Sequence, residues 1–307
     1  MRAKDFLSID QLTPDELADL IARGLDFKRR PFSASTLLAR RTVALLFQKP
    51  SLRTRVSFEI AAQQLGASSL YLSPAEVGLG ERESVADVGR VLSRYVSGVV
   101  ARTFFHSYIE EMARAATIPV INALSDRSHP CQILADLLTI EERFHRIEGL
   151  TVAFVGDGNN VVRSLVEAAP LCGFTLRIAS PQGYEPDAEA VAQSRQLGAT
   201  IEIEHEAARA VQGADVVYTD VWFSMGQEAE REARAAAFPA YRVTADLVGR
   251  AARNAIVMHC LPAHRGEEIT EEVIEGPQSV IFDQAENRLH AQKALLAELL
   301  ANGEVGD

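Results

Sequence analysis

Cysteine is scarce in this chain, and the little there is cannot pair locally. Cys131, Cys172 and Cys260 are its three thiols, far apart and without CxxC spacing. An odd, dispersed set argues against a disulfide framework, offers no structural zinc site and fits thiols kept reduced in the cytoplasm. Long apolar runs are missing too: no uninterrupted stretch approaches the ~20 residues that span a bilayer. Residues 1–17 lack an apolar core of signal-peptide length. Positive charge is in deficit, with a formal net charge of -11. Phosphate backbones select basic surfaces, so nucleic acid is not an expected partner, and a basic membrane-surface role is excluded on the same ground. A soluble, cytoplasmic protein is expected. If its ligand is an anion, the attraction must come from a local cluster of Arg, Lys and helix ends.

The 307 residues suffice for one large domain or two ordinary ones, and 47% hydrophobic with 24% charged residues is a globular mixture. Thr13-Pro14-Asp15-Glu16 opens an N-terminal helix, after which short apolar runs alternate with longer amphipathic segments. The first series predicts strands at 42–47, 69–72, 98–102 and 119–121, with helices at 56–65 and 84–95 among them. A second series predicts strands at 151–155, 175–179, 200–204, 215–218, 255–258 and 280–282, with helices at 161–171, 187–197 and 207–212. Strands separated by helices read as parallel βαβ units. The expected fold is α/β, with two doubly wound parallel-sheet domains. A helix at 133–144 joins them, dividing 1–145 from 146–285, and 286–300 carries apolar residues at helical spacing. In such sheets ligands bind at the carboxyl ends of strands, where loops lead into helices.

Six segments sit at those ends. The first, Gln48-Lys49-Pro50-Ser51-Leu52-Arg53-Thr54-Arg55, lies between a strand and a helix. Unpaired N–H groups at a helix start suit a phosphate; Ser51 and Thr54 add hydroxyls, and Arg53 and Arg55 add forked cations. The plain alternative is a Ser cap followed by solvated arginines. Arg102 closes a strand, as a ligand or a surface charge. His129-Pro130-Cys131-Gln132 opens a helix. Proline fits the first turn, leaving His129 at the cap, neutral near the helix N-terminus and able to donate to a carbonyl. Gln132 can bind an amide. Asp157-Gly158-Asn159-Asn160 follows the second domain's first strand. A dinucleotide fingerprint fails there, since Gly156 and Gly158 are followed by Val161 and no acidic residue ends the next strand. Asn159 and Asn160 can instead meet a small polar ligand. In Tyr218-Thr219-Asp220-Val221-Trp222-Phe223-Ser224-Met225-Gly226, Asp220 can pair with an ammonium group and Ser224 with a carboxylate. His259-Cys260-Leu261-Pro262 offers a thiol that is a nucleophile or a buried apolar residue. Gln284-Ala285-Glu286-Asn287-Arg288 places Arg288 at an expected helix start.

Taken together and in this order, the six segments resemble the ornithine carbamoyltransferases over nearly the whole chain. The His-Cys-Leu-Pro and Ser-Met-Gly elements separate that family from the related aspartate carbamoyltransferases. The resemblance implies a carbamoyl phosphate-binding domain at 1–145, an ornithine-binding domain at 146–285 and a C-terminal helix, 286–307, returning to the first. It implies that Ser51, Leu52 through its backbone, Arg53, Thr54 and Arg102 bind phosphate, and that Arg102, His129 and Thr54 polarise the carbamoyl oxygen. Gln132, with the backbone at Cys260 and Leu261 and with Arg288 nearby, holds the carbamoyl nitrogen. Asn160, Asp220, Ser224 and Met225 bind ornithine's amino-acid end, and Cys260 with Asp220 orients its side-chain amine, the thiol positioning and not attacking. Arg102, His129, Asp220 and Cys260 are thus the expected catalytic set. The partners implied are carbamoyl phosphate and L-ornithine, with L-citrulline and phosphate as products in arginine metabolism. No metal or organic cofactor is implied. A homotrimer, or a multiple of trimers, closing on ornithine about a hinge near 145–150, is expected from the same source. Two departures stand out: Leu52 replaces the usual Thr of the phosphate loop, and Gly78 stands where many members carry a Gln donated by a neighbouring subunit, with Arg82 as a candidate replacement.

Overall fold

The computed structural model describes residues 1, 3–223 and 230–301. The chain forms two compact units, one of Met1–Leu138 together with the stretch from Glu286 onward, the other of Thr139–Ala285.

The first unit opens on a helix that its own side chains start. In α1 (Pro14–Arg29), Thr13 accepts from Glu16 N at 3.2 Å and Glu16 accepts from Thr13 N at 3.0 Å, a reciprocal cap, with Pro14 in the first turn. Then follow β1 (Thr42–Phe47), α2 (Leu52–Gln64), β2 (Ser68–Leu72), α3 (Pro74–Val77), α4 (Val85–Leu92), β3 (Gly98–Arg102), α5 (His106–Ala115), β4 (Val120–Leu124) and α6 (Pro130–Phe144). The strands are parallel in the order β2-β1-β3-β4. Val43 to Phe47 and all of β3 are buried, as in a strand covered on both faces. Ala44, Leu46, Val99 and Ala101 pack there with Val88 of α4 and with Ile109 and Met112 of α5.

The second unit contains β5 (Thr151–Val155), α7 (Asn160–Cys172), β6 (Thr175–Ala179), α8 (Ala188–Gln196), β7 (Ile201–Glu204), α9 (Ala207–Val211), β8 (Val216–Thr219), α10 (Arg231–Ala237), α11 (Ala245–Val248), β9 (Ile256–His259) and α12 (Glu271–Ile274). Its parallel sheet runs β7-β6-β5-β8-β9. The last helix, α13 (Ile281–Ala301), packs on the first unit beyond residue 286: Lys28 donates to Asn287 at 3.0 Å, and buried Lys293 donates to Pro31 O and Gln64.

Chain direction across each sheet reverses once, between β1 and β3 and between β5 and β8. The loops leaving those strands diverge to opposite faces, which opens a crevice at the strand ends. Residues 48–55 and 102–104 flank the first switch point, 156–160 and 219–223 the second.

One expected strand is not formed. Ser279, just before the stretch 280–282, makes a single bridge to Val257 of β9 and Val280 N donates to Val257 O at 3.0 Å, after which the chain enters α13. Ile281, Gln284, Asn287, Arg288 and Ala291 are buried while Phe282 is 59% exposed, so burial follows a helical period and the apolar run is the helix's first turn. The second sheet therefore has five strands and not six, and Arg288 lies in the second turn of a helix and not at its start.

The turn after β5 has no room for a side chain. Gly158 donates to Tyr184 O at 2.9 Å, and a Cβ there would lie 2.4 Å from both Glu185 C and Pro186 N, backbone atoms that cannot step aside. Gly158→Ala is expected to cost about 1–3 kcal/mol, read as a lowered urea midpoint at unchanged m-value; a wild-type midpoint would show that the turn is loosely packed.

Candidate active site

In the first unit, α2 begins four residues before the sequence pattern suggests, which makes Ser51 its N-cap. Ser51 Oγ accepts from Thr54 N at 3.3 Å and donates to Thr54 Oγ1 at 3.0 Å. The N–H groups of Leu52 and Arg53 lie in the first turn, where no intrahelical acceptor exists, and carry the helix's positive end. Leu52 points its side chain outward, 75% exposed. The hydroxyl it lacks therefore leaves the backbone donor unchanged. Arg55 pairs with Glu59 at 2.9 Å and stacks on Tyr71 at 3.9 Å.

Arg288 supplies the cation that joins three helices of this unit. Its Nη1 donates to Gln132 Oε1 at 2.6 Å and its Nη2 to Thr54 Oγ1 at 3.2 Å. With the Gln292 amide oxygen facing the guanidinium, that oxygen accepts from Arg288 Nε at 2.9 Å and Nη2 at 2.8 Å, and the amide nitrogen donates to Ser57. Gln132 Nε2 donates in turn to the buried carboxyl of Asp136 at 2.8 Å, which fixes which end of the amide faces Arg288. Arg102, buried at the end of β3, is the second guanidinium, and its carbonyl accepts from Gln48 N at 2.8 Å. His129 heads α6, its carbonyl accepting from Gln132 N at 2.9 Å. Its imidazole is held well below the usual histidine pKa by burial and by the charges of Arg288 and Arg102. It is neutral at pH 7 and able to donate a hydrogen bond without carrying charge.

Gly78 caps α3 in a left-handed conformation, φ +56°, where a Cβ would lie 2.8 Å from Arg82 Cβ. The loop beside it is latched by Gln48 Nε2 donating to Leu79 O at 3.1 Å, and it borders a cavity of about 100 Å³ lined also by Val77, Glu81 and Phe104. Glycine at 78 thus has a conformational reason.

The second unit gathers its polar groups on Asp220, which follows β8 and is 6% exposed. Its Oδ2 accepts from Asn159 Nδ2 at 2.8 Å, and its Oδ1 accepts from Val221 N at 2.8 Å and from the Cys260 thiol at 2.9 Å. Asn159 is also the N-cap of α7, its Oδ1 accepting from Val161 N at 2.9 Å and Val162 N at 3.2 Å. Asn160, the expected ligand residue, is the first residue of that helix. Ser224, Met225 and Gly226 lie outside the described residues. Asp220, His259 and Cys260 place ligand atoms within 4.8 Å of one another, as do His264, Glu267 and Glu268. In the first set both ring nitrogens of His259 are already in hydrogen bonds, to Glu268 Oε1 and from Leu261 N.

Several supporting residues escape the sequence. Asp136 and Gln292 each stand four residues from the group they orient, a spacing that helix geometry makes legible once the helix is known. The contact of Arg234 with Asp157 has no such signal. The guanidinium binds Asp157 at 3.0 Å, Glu230 at 2.9 Å and Trp222 O at 2.8 Å, and lies over the Tyr184 ring. Burial pushes Asp157 up to about 6, against the pull of that guanidinium.

A depressed histidine pKa has a stability consequence. The unfolded chain takes up a proton below about 6.5 while folded His129 does not, so its contribution is intact above that pH and is lost as pH falls towards the folded pKa. Urea unfolding from pH 7.5 to 5 should show stability falling with pH more steeply in the wild type than in His129→Gln; equal slopes would mean that His129 protonates normally when folded.

Comparison with known proteins covers both units. Residues 4–142 match the model of the aspartate/ornithine carbamoyltransferase carbamoyl-P binding domain, and residues 148–299 match that of the Asp/Orn binding domain. An ornithine carbamoyltransferase of Acidothermus cellulolyticus is 52% identical over 97% of this chain and 96% of its own length. One of Archaeoglobus fulgidus is 50% identical over 97% of each. Among solved structures, the ornithine carbamoyltransferase from Pyrococcus furiosus superposes with a TM-score of 0.94 at 47% identity, over 98% of both chains. Matched along both units and at about half identity over nearly its whole length, the chain belongs to the aspartate/ornithine carbamoyltransferase family.

Proposed function

We propose that this chain transfers the carbamoyl group of carbamoyl phosphate to the side-chain amine of L-ornithine, giving L-citrulline and phosphate. The observation that carries the acceptor assignment is the Asp220 carboxyl, sequestered from water yet aligned by Asn159, Val221 N and the Cys260 thiol. A carboxyl so placed meets the α-ammonium of free ornithine. In acetylornithine that nitrogen is a neutral amide, and putrescine has no amino-acid end, so both leave the charge unanswered.

In this reading the phosphate of the donor sits on the N–H groups at Ser51 to Thr54, with Arg53 and Arg102 supplying charge. Thr54, Arg102 and neutral His129 donate to the carbamoyl oxygen. Gln132, its amide direction set by Asp136 and Arg288, takes the carbamoyl nitrogen. Asn160, Asp220, Ser224 and Met225 bind ornithine, and Cys260 with Asp220 aligns the reacting amine. The amine lone pair attacks the carbamoyl carbon and negative charge collects on oxygen, where prealigned donors are worth most. As the intermediate collapses, the carbon–oxygen bond to phosphate breaks, and the proton shed by nitrogen leaves with phosphate. Ornithine's side-chain amine is mostly protonated at neutral pH, with a reference value of about 10.4 for such an amine, so turnover should rise with pH.

We further propose a homotrimer, or a multiple of trimers, working in the cytoplasm in arginine metabolism. Leu52 and Val56 of α2 and Leu70 of the edge strand β2 are exposed, which supports an assembly surface on the first unit, and three free thiols support a reducing compartment.

Turnover of carbamoyl phosphate is to be compared with ornithine, acetylornithine, putrescine and aspartate as acceptors, reading the ureido product. Citrulline from ornithine alone is expected. Another preferred amine would overturn the role given to Asp220, and no turnover with any would remove the enzyme reading. Arg102→Ala should lower kcat by about 100- to 1,000-fold with the urea midpoint little changed; near-normal turnover would take Arg102 out of the mechanism.

A further inference from the structure

His259 precedes the thiol residue and has no place in the chemistry above, yet three hydrogen bonds hold it. Its backbone N–H donates to Gln284 Oε1 at 2.9 Å. Its ring Nδ1 lies 2.9 Å from Leu261 N and its Nε2 3.0 Å from Glu268 Oε1, with both side chains fully buried. A backbone N–H can only donate, so Nδ1 must be the acceptor, and Nε2 therefore carries the proton it gives to Glu268. Glu268 is anchored in its turn: its Oε1 also accepts from His264 N at 2.6 Å, and its carbonyl accepts from Val243 N at 2.8 Å.

The segment that this ring braces is short and takes a conformation that side chains disfavour. Leu261 adopts φ +56°, a left-handed backbone that a branched residue enters only when its surroundings impose it. The imidazole accepts the N–H of that residue. The residue between brace and strained position is Cys260, whose thiol reaches Asp220 at 2.9 Å. A turn released from its brace would swing the thiol off the carboxyl.

We infer that His259 and Glu268 form a buried positioning pair that sets the turn carrying Cys260, and thereby the alignment of the Asp220–thiol group towards the acceptor amine. The pair touches no reacting atom; it acts through the Leu261 N–H. Its kinetic part rests on the ornithine reading above, and its geometric part does not.

Two substitutions separate positioning from packing. In His259→Asn the amide oxygen stands where Nδ1 stood and still accepts from Leu261 N, although the side chain is polar and small. His259→Leu fills the space with apolar atoms and accepts nothing. If the ring only packs, Leu should be the better replacement; if it positions, Asn should be. Two readouts are taken on folded protein: kcat/KM for ornithine, and the rate at which iodoacetamide labels Cys260, followed by peptide mass. Burial pushes the other two thiols, Cys131 and Cys172, up to about 12, so neither competes. His259→Leu should lose about 100-fold in kcat/KM, the cost of a misplacement of ~1 Å, and label at Cys260 several-fold faster. His259→Asn should lie closer to wild type in both. Leu equal to or better than Asn, or both variants within threefold of wild type, would overturn the inference. If the wild type itself fails to carbamoylate ornithine, the labelling rates still decide the geometry, so the two failures are distinguishable. Should His259→Leu not fold, Glu268→Ala, which removes the acceptor that orients the ring, is read in the same way. In that case, labelling and turnover of Glu268→Ala at the level of wild type would overturn it.

Discussion

A guanidinium that is 3% exposed must be surrounded by acceptors, because it cannot shed its proton and water cannot reach it. Arg288 finds them in Thr54 of α2, Gln132 of α6 and Gln292 of its own helix. Much of the first unit follows from that requirement. The last helix has to return to a unit that the chain left at Leu138, 148 positions before Glu286. The Thr54 hydroxyl in the first turn of α2 and the Gln132 amide near His129 are tied to one rigid planar group. Removing the guanidinium would leave the buried amide oxygens of Gln132 and Gln292 unsatisfied, at about 1–3 kcal/mol each. The same charge, with that of Arg102, keeps His129 neutral, so the structural tie also sets a protonation state.

The second unit meets the opposite problem, a carboxyl with little water, in a similar way. Asp220 collects a side-chain amide, a backbone N–H and a thiol. Asn159 serves twice, ending the α7 helix dipole with one atom and holding Asp220 with the other. Each cluster stands where the strand order of its sheet reverses, so the parallel topology decides where polar side chains can converge and the local sequence decides which ones do.

That division explains what could be read from residues alone. Strand ends were legible because buried parallel strands are plain apolar runs, and the functional segments follow them directly. Ser51 as a cap and Pro130 in a first turn follow from local backbone chemistry. The run 280–282 misled because three apolar residues carry no period; only the burial of Gln284 and Arg288 reveals the helix. The sequence gives the residue type of Arg55 and not its direction; Glu59, one turn along, is its ion-pair partner. The low pKa of His129 was expected from the helix end, whereas burial and two guanidiniums cause it. Arg234 on Asp157, 77 positions apart in the chain, has no local signature at all.

The central claim is that one particular bond is made, between the carbamoyl carbon and ornithine's side-chain nitrogen. It can be watched directly by ¹³C NMR with carbamoyl phosphate labelled at its carbonyl and ornithine carrying ¹⁵N only in the side chain. The account predicts a new ureido carbon resonance, split by one-bond coupling to ¹⁵N and growing only when enzyme is present. An unsplit ureido signal, which would place the carbamoyl group on the α-nitrogen, or label that passes only into bicarbonate, would contradict it.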